Sequence, residues 1–139
     1  MKKLSERLNE VAAKVADMEN KVAAAEKETG QKVEARVEAA KVDAEARQDA
    51  FQASIKKEQA RSASQWEELQ ASFRKQVDEI KSNIDAKQDA REAKRAVRRA
   101  EDAEQYAAAA IDFALLALDE AEIATLEAIV ARAYAESLN

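Results

Sequence analysis

The side chains in this sequence that could do chemistry are carboxylates, and Asp119, Glu120 and Glu122 form one close group of them. Carboxylate oxygens are good ligands for hard cations such as Ca²⁺ and Mg²⁺. A dinuclear metal centre in a helical bundle also uses Glu-x-x-His motifs on two of its helices, and the chain contains no histidine. We therefore interpret these three carboxylates as part of a solvated acidic face and expect no metal site.

The residue types that are missing exclude most other chemistry. Without histidine or cysteine the chain has no imidazole base, no thiolate nucleophile and no usual zinc ligand set. Its one glycine, Gly30, is too few for a phosphate-binding glycine loop or the glycine turn of an EF-hand. We expect neither enzymatic activity nor a cofactor.

A basic cluster is the other feature with chemical character, and its spacing places most of its members on one side of a helix. Its members are Lys87, Arg91, Lys94, Arg95, Arg98 and Arg99. Residues 101–139 that follow carry nine acids and one base, and the sequence pI is near 5.0. The cluster is interpreted as a solvated face, or as a face that meets the acidic C-terminal segment of a partner chain. A nucleic-acid or other anionic partner is the weaker reading, because such domains are usually basic overall and no aromatic residue lies between Ile84 and Tyr106.

The composition predicts that helices position all of these residues. The 139 residues include no proline and one glycine, whereas turns depend on both residue types. Alanine, glutamate, lysine, arginine and leucine, which are strong helix formers, supply much of the chain. We predict an all-α protein whose chain is a very long helix, or a helical hairpin, that forms an oligomeric coiled coil or elongated helical bundle. A fully helical chain would extend roughly 200 Å at the α-helical rise.

The N-terminal segment, residues 1–29, contains a heptad repeat in which apolar residues alternate steps of four and three. Its members are Leu4, Leu8, Val11, Val15, Met18 and Val22. This spacing is typical of a coiled coil, and an ion pair between Asp17 and Lys21 supports the helix on another face. The next large apolar residue is Val33, eleven residues after Val22. Because Gly30 lies in that gap and disfavours a helix interior by about 1 kcal/mol, a kink or break is plausible there.

The central segment, residues 30–85, has a thin apolar core and then a clearer stripe at helical spacing. The stripe consists of Trp66, Leu69, Phe73, Val77, Ile80 and Ile84. Ser64 with Glu67 and Ser82 with Asp85 both have capping-box spacing. A turn within 81–85 would produce the hairpin, but the scarcity of turn formers slightly favours a continuous rod.

The C-terminal segment, residues 86–139, contains the most regular pattern, which we call the alanine seam. It comprises Ala93, Ala96, Ala100, Ala103, Ala107, Ala110, Ala114, Ala117, Ala121, Ala124, Ala128, Ala131 and Ala135. The remaining positions between 93 and 135 hold only three alanines, so composition alone does not explain the seam. Because methyl groups allow helix axes to approach to about 8 Å, we predict a self-association interface formed by the N-terminal heptad, the Trp66–Ile84 stripe and eight members of the seam: Ala107, Ala110, Ala114, Ala117, Ala121, Ala124, Ala128 and Ala131.

These patterns favour a structural or scaffolding protein that acts through helix–helix self-association or partner binding, as a dimer or tetramer. The N-terminus has no apolar signal region and no stretch is long enough to span a bilayer, so we expect a cytoplasmic protein. An alternative is a lipid- or granule-surface protein, because residues 106–118 carry one charge in thirteen. A weaker alternative is nucleic-acid association through the basic cluster.

Overall fold

Helices make up almost all of the chain that the structure describes. The computed structural model describes residues 3–58, 61–85 and 93–139. Four helices occupy these ranges, and no strand occurs within them: α1 (Leu4–Ala25), α2 (Gly30–Glu58), α3 (Ala63–Asp85) and α4 (Ala93–Ser137). The all-α prediction is therefore confirmed.

The helices are four separate segments, where the sequence favoured a single continuous rod. The first interruption falls in the register gap before Gly30, at residues 26–29. There the amide of Lys27 donates to the carbonyl of Ala24 at 3.1 Å. Tightened bonds of this kind, from residue i to i−3, commonly end a helix. The helix propensity lost at Gly30 explains why the interruption comes just before it.

The second described interruption, at Arg61–Ser62, carries no glycine or proline signal. The carbonyl of Ser62 accepts a hydrogen bond from the amide of Trp66 at 3.0 Å, which places the start of α3 just before the Ser64–Glu67 spacing. Helix α3 then continues through Asp85, so the turn considered within 81–85 does not occur there. Residues 86–92, which join α3 to α4, lie outside the described ranges.

The chain divides into two compact units, residues 1–69 and 70–139. In the first unit α1 and α2 lie antiparallel, because Arg7 near the start of α1 donates from Nη2 to Oγ of Ser54 near the end of α2, at 3.5 Å. Near the end of α1, Lys21 lies within electrostatic range of Asp43, in the middle of α2. Ile55 is the one apolar side chain among the described residues that counts as buried, at 8% exposure.

Polar contacts occur at the start of α1 and on its solvent-exposed side. The carboxylate of Glu6 accepts a hydrogen bond from the backbone amide of Lys3 at 3.3 Å, which satisfies a donor that the helix itself leaves free. The predicted ion pair between Asp17 and Lys21 is confirmed at 2.9 Å. The hydrogen bond from Lys21 lowers the pKa of Asp17 below its usual value.

A bidentate ion pair connects the turn between α1 and α2 to helix α2 itself. The guanidinium of Arg36 donates from Nε and from Nη2 to the two carboxylate oxygens of Glu28. Two parallel bonds of this kind fix geometry better than a single contact. The hydrogen bond from Arg36 holds the pKa of Glu28 below its ordinary value of 4.5.

We expect Glu28→Gln to lower the thermal midpoint of the protein slightly at pH 7, because the substitution removes the negative charge that pairs with Arg36. A carboxyl whose pKa is depressed in the folded state stabilises above its unfolded pKa and loses that contribution as the pH falls through the folded value. The difference from the unmodified chain should therefore begin to shrink as the pH falls below the ordinary glutamate pKa of about 4.3 and vanish only below the lowered pKa of Glu28. Glu38→Gln is the control, since the contact of Glu38 with Lys41 lies within one helix. A difference that persists unchanged at low pH would contradict this role for Glu28.

Candidate association surface

The three carboxylates Asp119, Glu120 and Glu122 lie on the exposed surface of α4. Throughout the ranges 3–58, 61–85 and 93–139, no three acidic side chains come together in a way that could hold a metal ion. Asp119, Glu120 and Glu122 are exposed along one stretch of α4. Their carboxylates contribute charge to the surface of α4.

The N-terminal heptad lies along α1, and α1 and α2 together leave it partly uncovered. Its six apolar side chains retain between 38% and 58% of their accessible surface. The least exposed members are near the start of the helix, at Leu4 and Val11, and the most exposed is Val22. A two-helix pair cannot enclose a heptad, because each helix covers only one side of the other.

The apolar stripe of α3 is divided between contact within the chain and exposure. The ring of Phe73 stacks on the ring of Phe113 in α4, with centroids 5.4 Å apart and planes 15° apart. Val77 and Ile84 are half-buried, whereas Trp66, Leu69 and Ile80 are exposed. The helical spacing of the six apolar residues predicted that they pack against another helix. It did not predict the contact between Phe73 and Phe113, which lie forty residues apart.

The alanine seam is exposed along nearly its whole length. All of its members lie on α4, and among them Ala121 alone is half-buried. Apart from the half-buried Ala121, the seam members from Ala107 to Ala131 that we predicted as interface are therefore left exposed by the other described residues of their unit, 70–139. A row of methyl groups of this length on one helix, open to solvent, is available to another helix.

One flank of the seam meets α3 at Phe113. Residues 99, 106 and 113 repeat at a spacing of seven along this flank. Phe113 stacks on Phe73, while Arg99 and Tyr106 are half-buried. The Nε atom of Arg99 is buried and has no hydrogen-bond partner within the described part of the chain. Of the rest of the basic cluster, Lys94, Arg95 and Arg98 are exposed on the first turns of α4, and Lys87 and Arg91 lie outside the described residues.

A second apolar surface of α4, which we call the outer face, points away from the seam. It consists of Leu115, Leu116, Ile123, Leu126, Ile129 and Val130, with exposures between 50% and 69%. Near the end of the helix a shallow groove of about 420 Å³ lies between the outer face and the seam. It is lined by Leu126, Glu127, Val130, Ala131 and Tyr134. Sequence periodicity indicated the apolar residues, but the groove depends on side-chain conformations that periodicity does not give.

Comparison of the chain with protein-family models, curated proteins and solved structures finds no match. Within the described residues, every helix falls short of the length and apolarity that a bilayer span requires. The exposed apolar surfaces of α1, α3 and α4, with the charges beside them, are the candidate functional features of the described residues.

We expect Phe73 and Phe113 to be energetically coupled. In a double-mutant cycle with Phe73→Ala and Phe113→Ala, followed by urea unfolding at one chain concentration, the coupling should be about 0.5–1.5 kcal/mol. A control cycle with Leu69→Ala and Phe113→Ala should give a coupling near zero, because Leu69 is exposed and lies outside the stack. Additive losses in the first cycle would show that the ring contact does not hold α3 to α4.

Proposed function

We propose that this protein is a structural or scaffolding protein that acts by helix–helix self-association, as a spacer, a filament subunit or an adaptor. The observation that carries the proposal is the alanine seam, exposed on a 45-residue helix. Alanine gives little energy to a compact core, but it allows a second helix to approach closely over a long distance.

The energetics support association over a solitary chain. Association costs about 4–15 kcal/mol in lost translational and rotational freedom. Burial is worth about 0.8 kcal/mol for each carbon of methylene size. A dozen seam alanines from each of two chains, partly exposed beforehand, would then contribute on the order of 10 kcal/mol. Large apolar side chains beside the seam, such as Ile111 and Leu118, add to this total.

The remaining exposed surfaces suggest how a higher assembly would form. Trp66, Leu69 and Ile80 on α3 and the heptad on α1 each keep about half of their surface in contact with solvent. Exposed apolar patches larger than a few hundred Å² mark interaction sites in soluble proteins. A tetramer, or binding of a protein partner, would cover these patches as well as the seam.

We expect Ala114→Leu, and separately Ala117→Leu, to disrupt the assembly. A branched side chain at either position separates helices that approach at methyl distance and costs about 1–3 kcal/mol at each site of overpacking. Sedimentation equilibrium should show a lower average mass, and the thermal midpoint should fall at a fixed chain concentration. Ala108→Leu is the matched control: Ala108 lies on the same helix and is exposed, but it stands outside the seam. If Ala114→Leu and Ala117→Leu leave both mass and midpoint unchanged, the seam is not the interface.

The outer face favours a second candidate function, attachment to a neutral lipid or storage-granule surface. Interfacial helices insert an apolar face and usually carry lysine and arginine on the polar face. The polar residues around the outer face are acidic, among them Asp119 and Glu122, so a surface without negative charge suits it better.

For that second candidate we expect the protein to float with vesicles of neutral phosphatidylcholine or with oil droplets, and to float less with anionic vesicles. Ile123→Glu should abolish flotation by placing a charge in the middle of the outer face, while Gln105→Glu, which adds the same charge at an exposed position before that face begins, should not. Protein that stays at the bottom of the gradient with both neutral vesicles and droplets would eliminate surface attachment.

A further inference from the structure

We propose that the outer face of α4 is the docking surface for a basic amphipathic helix of a partner protein. The apolar side chains of that helix cover Leu116, Ile123 and Val130, and its lysines or arginines pair with the carboxylates on either side of them. The inference goes beyond the proposed self-association, because it uses the outer face and leaves the alanine seam free.

An apolar row runs along the outer face, and we call it the apolar ridge. Its members, Leu116, Ile123 and Val130, repeat at a spacing of seven, which places them on one line along α4. Each keeps at least half of its accessible surface exposed. The ridge is about 21 Å long at the α-helical rise, which corresponds to about four turns of a partner helix.

Carboxylates border the ridge on both sides. Residues four apart are neighbours on a helix surface, so Asp119 and Glu127, four residues before and after Ile123, lie on opposite sides of it. Asp112 and Glu120 stand in the same relation to Leu116. All four carboxylates are exposed. An occupant of this face must therefore offer apolar surface and positive charge together, as a basic amphipathic helix does.

The ridge ends in a groove. Beside Val130 the bordering positions are Leu126 and Tyr134, and with Glu127 they line the shallow groove of about 420 Å³. Helices that dock in grooves insert apolar anchors three, four or seven residues apart. An anchor in this groove places a lysine or arginine one turn away within reach of Glu127.

A second copy of α4 does not meet these two requirements together. Any alignment that lays ridge on ridge also brings the bordering carboxylates of the two copies together, because residues 101–131 contain no base. Arg132 does not relieve this, since residues two apart do not share a face and it points away from Val130. The other bases of α4 lie before residue 100, and an alignment that brings them to the carboxylates moves most of each ridge away from the other. Like charges placed together across an interface oppose such pairing.

A neutral lipid surface uses the ridge alone. Insertion of the ridge would take Asp119 and Glu127 out of water, and an uncharged surface offers nothing to offset that cost. Lysines and arginines of a partner helix offset it by charge-assisted hydrogen bonds. The bordering carboxylates therefore favour a protein partner.

The test uses the full chain and a fluorescein-labelled peptide of about 18 residues, made of leucine and lysine with the leucines at helical spacing. Fluorescence anisotropy should show saturable binding that weakens as salt is added, because ion pairs contribute to it. A peptide of the same composition, with the order scrambled so that the leucines spread around the helix, should bind about tenfold more weakly.

Variants of the chain locate the binding surface. We expect Glu127→Lys and Ile123→Ser each to weaken peptide binding about tenfold. The matched controls are Glu104→Lys and Ile111→Ser, which make the same changes at exposed positions of α4 away from the ridge. Both controls should bind within about twofold of the unmodified chain. Circular dichroism should show the same helicity in all four variants.

Each contrary result overturns the proposal for a different reason. Absence of saturable binding, equal binding of the scrambled peptide, or equal losses in the controls would show that no specific helix site exists. A fall in mass on sedimentation equilibrium for Ile123→Ser, but not for Ile111→Ser, would show that a second copy covers the ridge. Flotation with neutral vesicles in the absence of peptide binding would assign the outer face to lipid.

The proposed self-association fails separately. A chain that stays monomeric by sedimentation equilibrium, with its helices intact and peptide binding localised to the ridge, would contradict self-association and leave this inference standing.

Discussion

The structure is governed by one constraint: an alanine-rich helical chain cannot enclose its own apolar surface. In an all-helical chain, side chains are buried mainly where helices pack against one another, and the described ranges contain four helices, each with few large residues on any one side. Contacts within the two units therefore cover only part of each apolar stripe. Ile55 alone is buried among the apolar side chains of the described residues. The apolar surface that stays exposed is the reason to look for function in association.

Helix composition and periodicity predicted the class of fold and the apolar faces, because both depend on local propensity. They also located the first interruption, since the gap after Val22 and the glycine at position 30 coincide with it. The interruption at Arg61–Ser62 was not predictable, because neither residue is a helix breaker. The contacts between helices were not predictable either. The contacts of Phe73 with Phe113 and of Arg7 with Ser54 join residues far apart in the sequence, so they depend on how the helices fold back on one another.

Charge and packing have different roles in this account. The methyl groups of the seam set how closely two helices approach, but they are alike along its length and so specify direction poorly. Charge is unevenly distributed along α4, with four bases and no acid in residues 93–99 and nine acids with one base in residues 101–139. In coiled coils, apolar core positions provide stability and flanking charges influence the choice of partner and its orientation.

The most direct test of the central claim is sedimentation equilibrium on the unmodified chain across about two decades of concentration, with helicity followed by circular dichroism. We expect a mass at least twice the 15.3 kDa of one chain at micromolar concentration and above, with helicity falling as dilution dissociates the assembly. A mass of one chain at every concentration, together with undiminished helicity, would contradict the claim that a second copy completes the apolar surface.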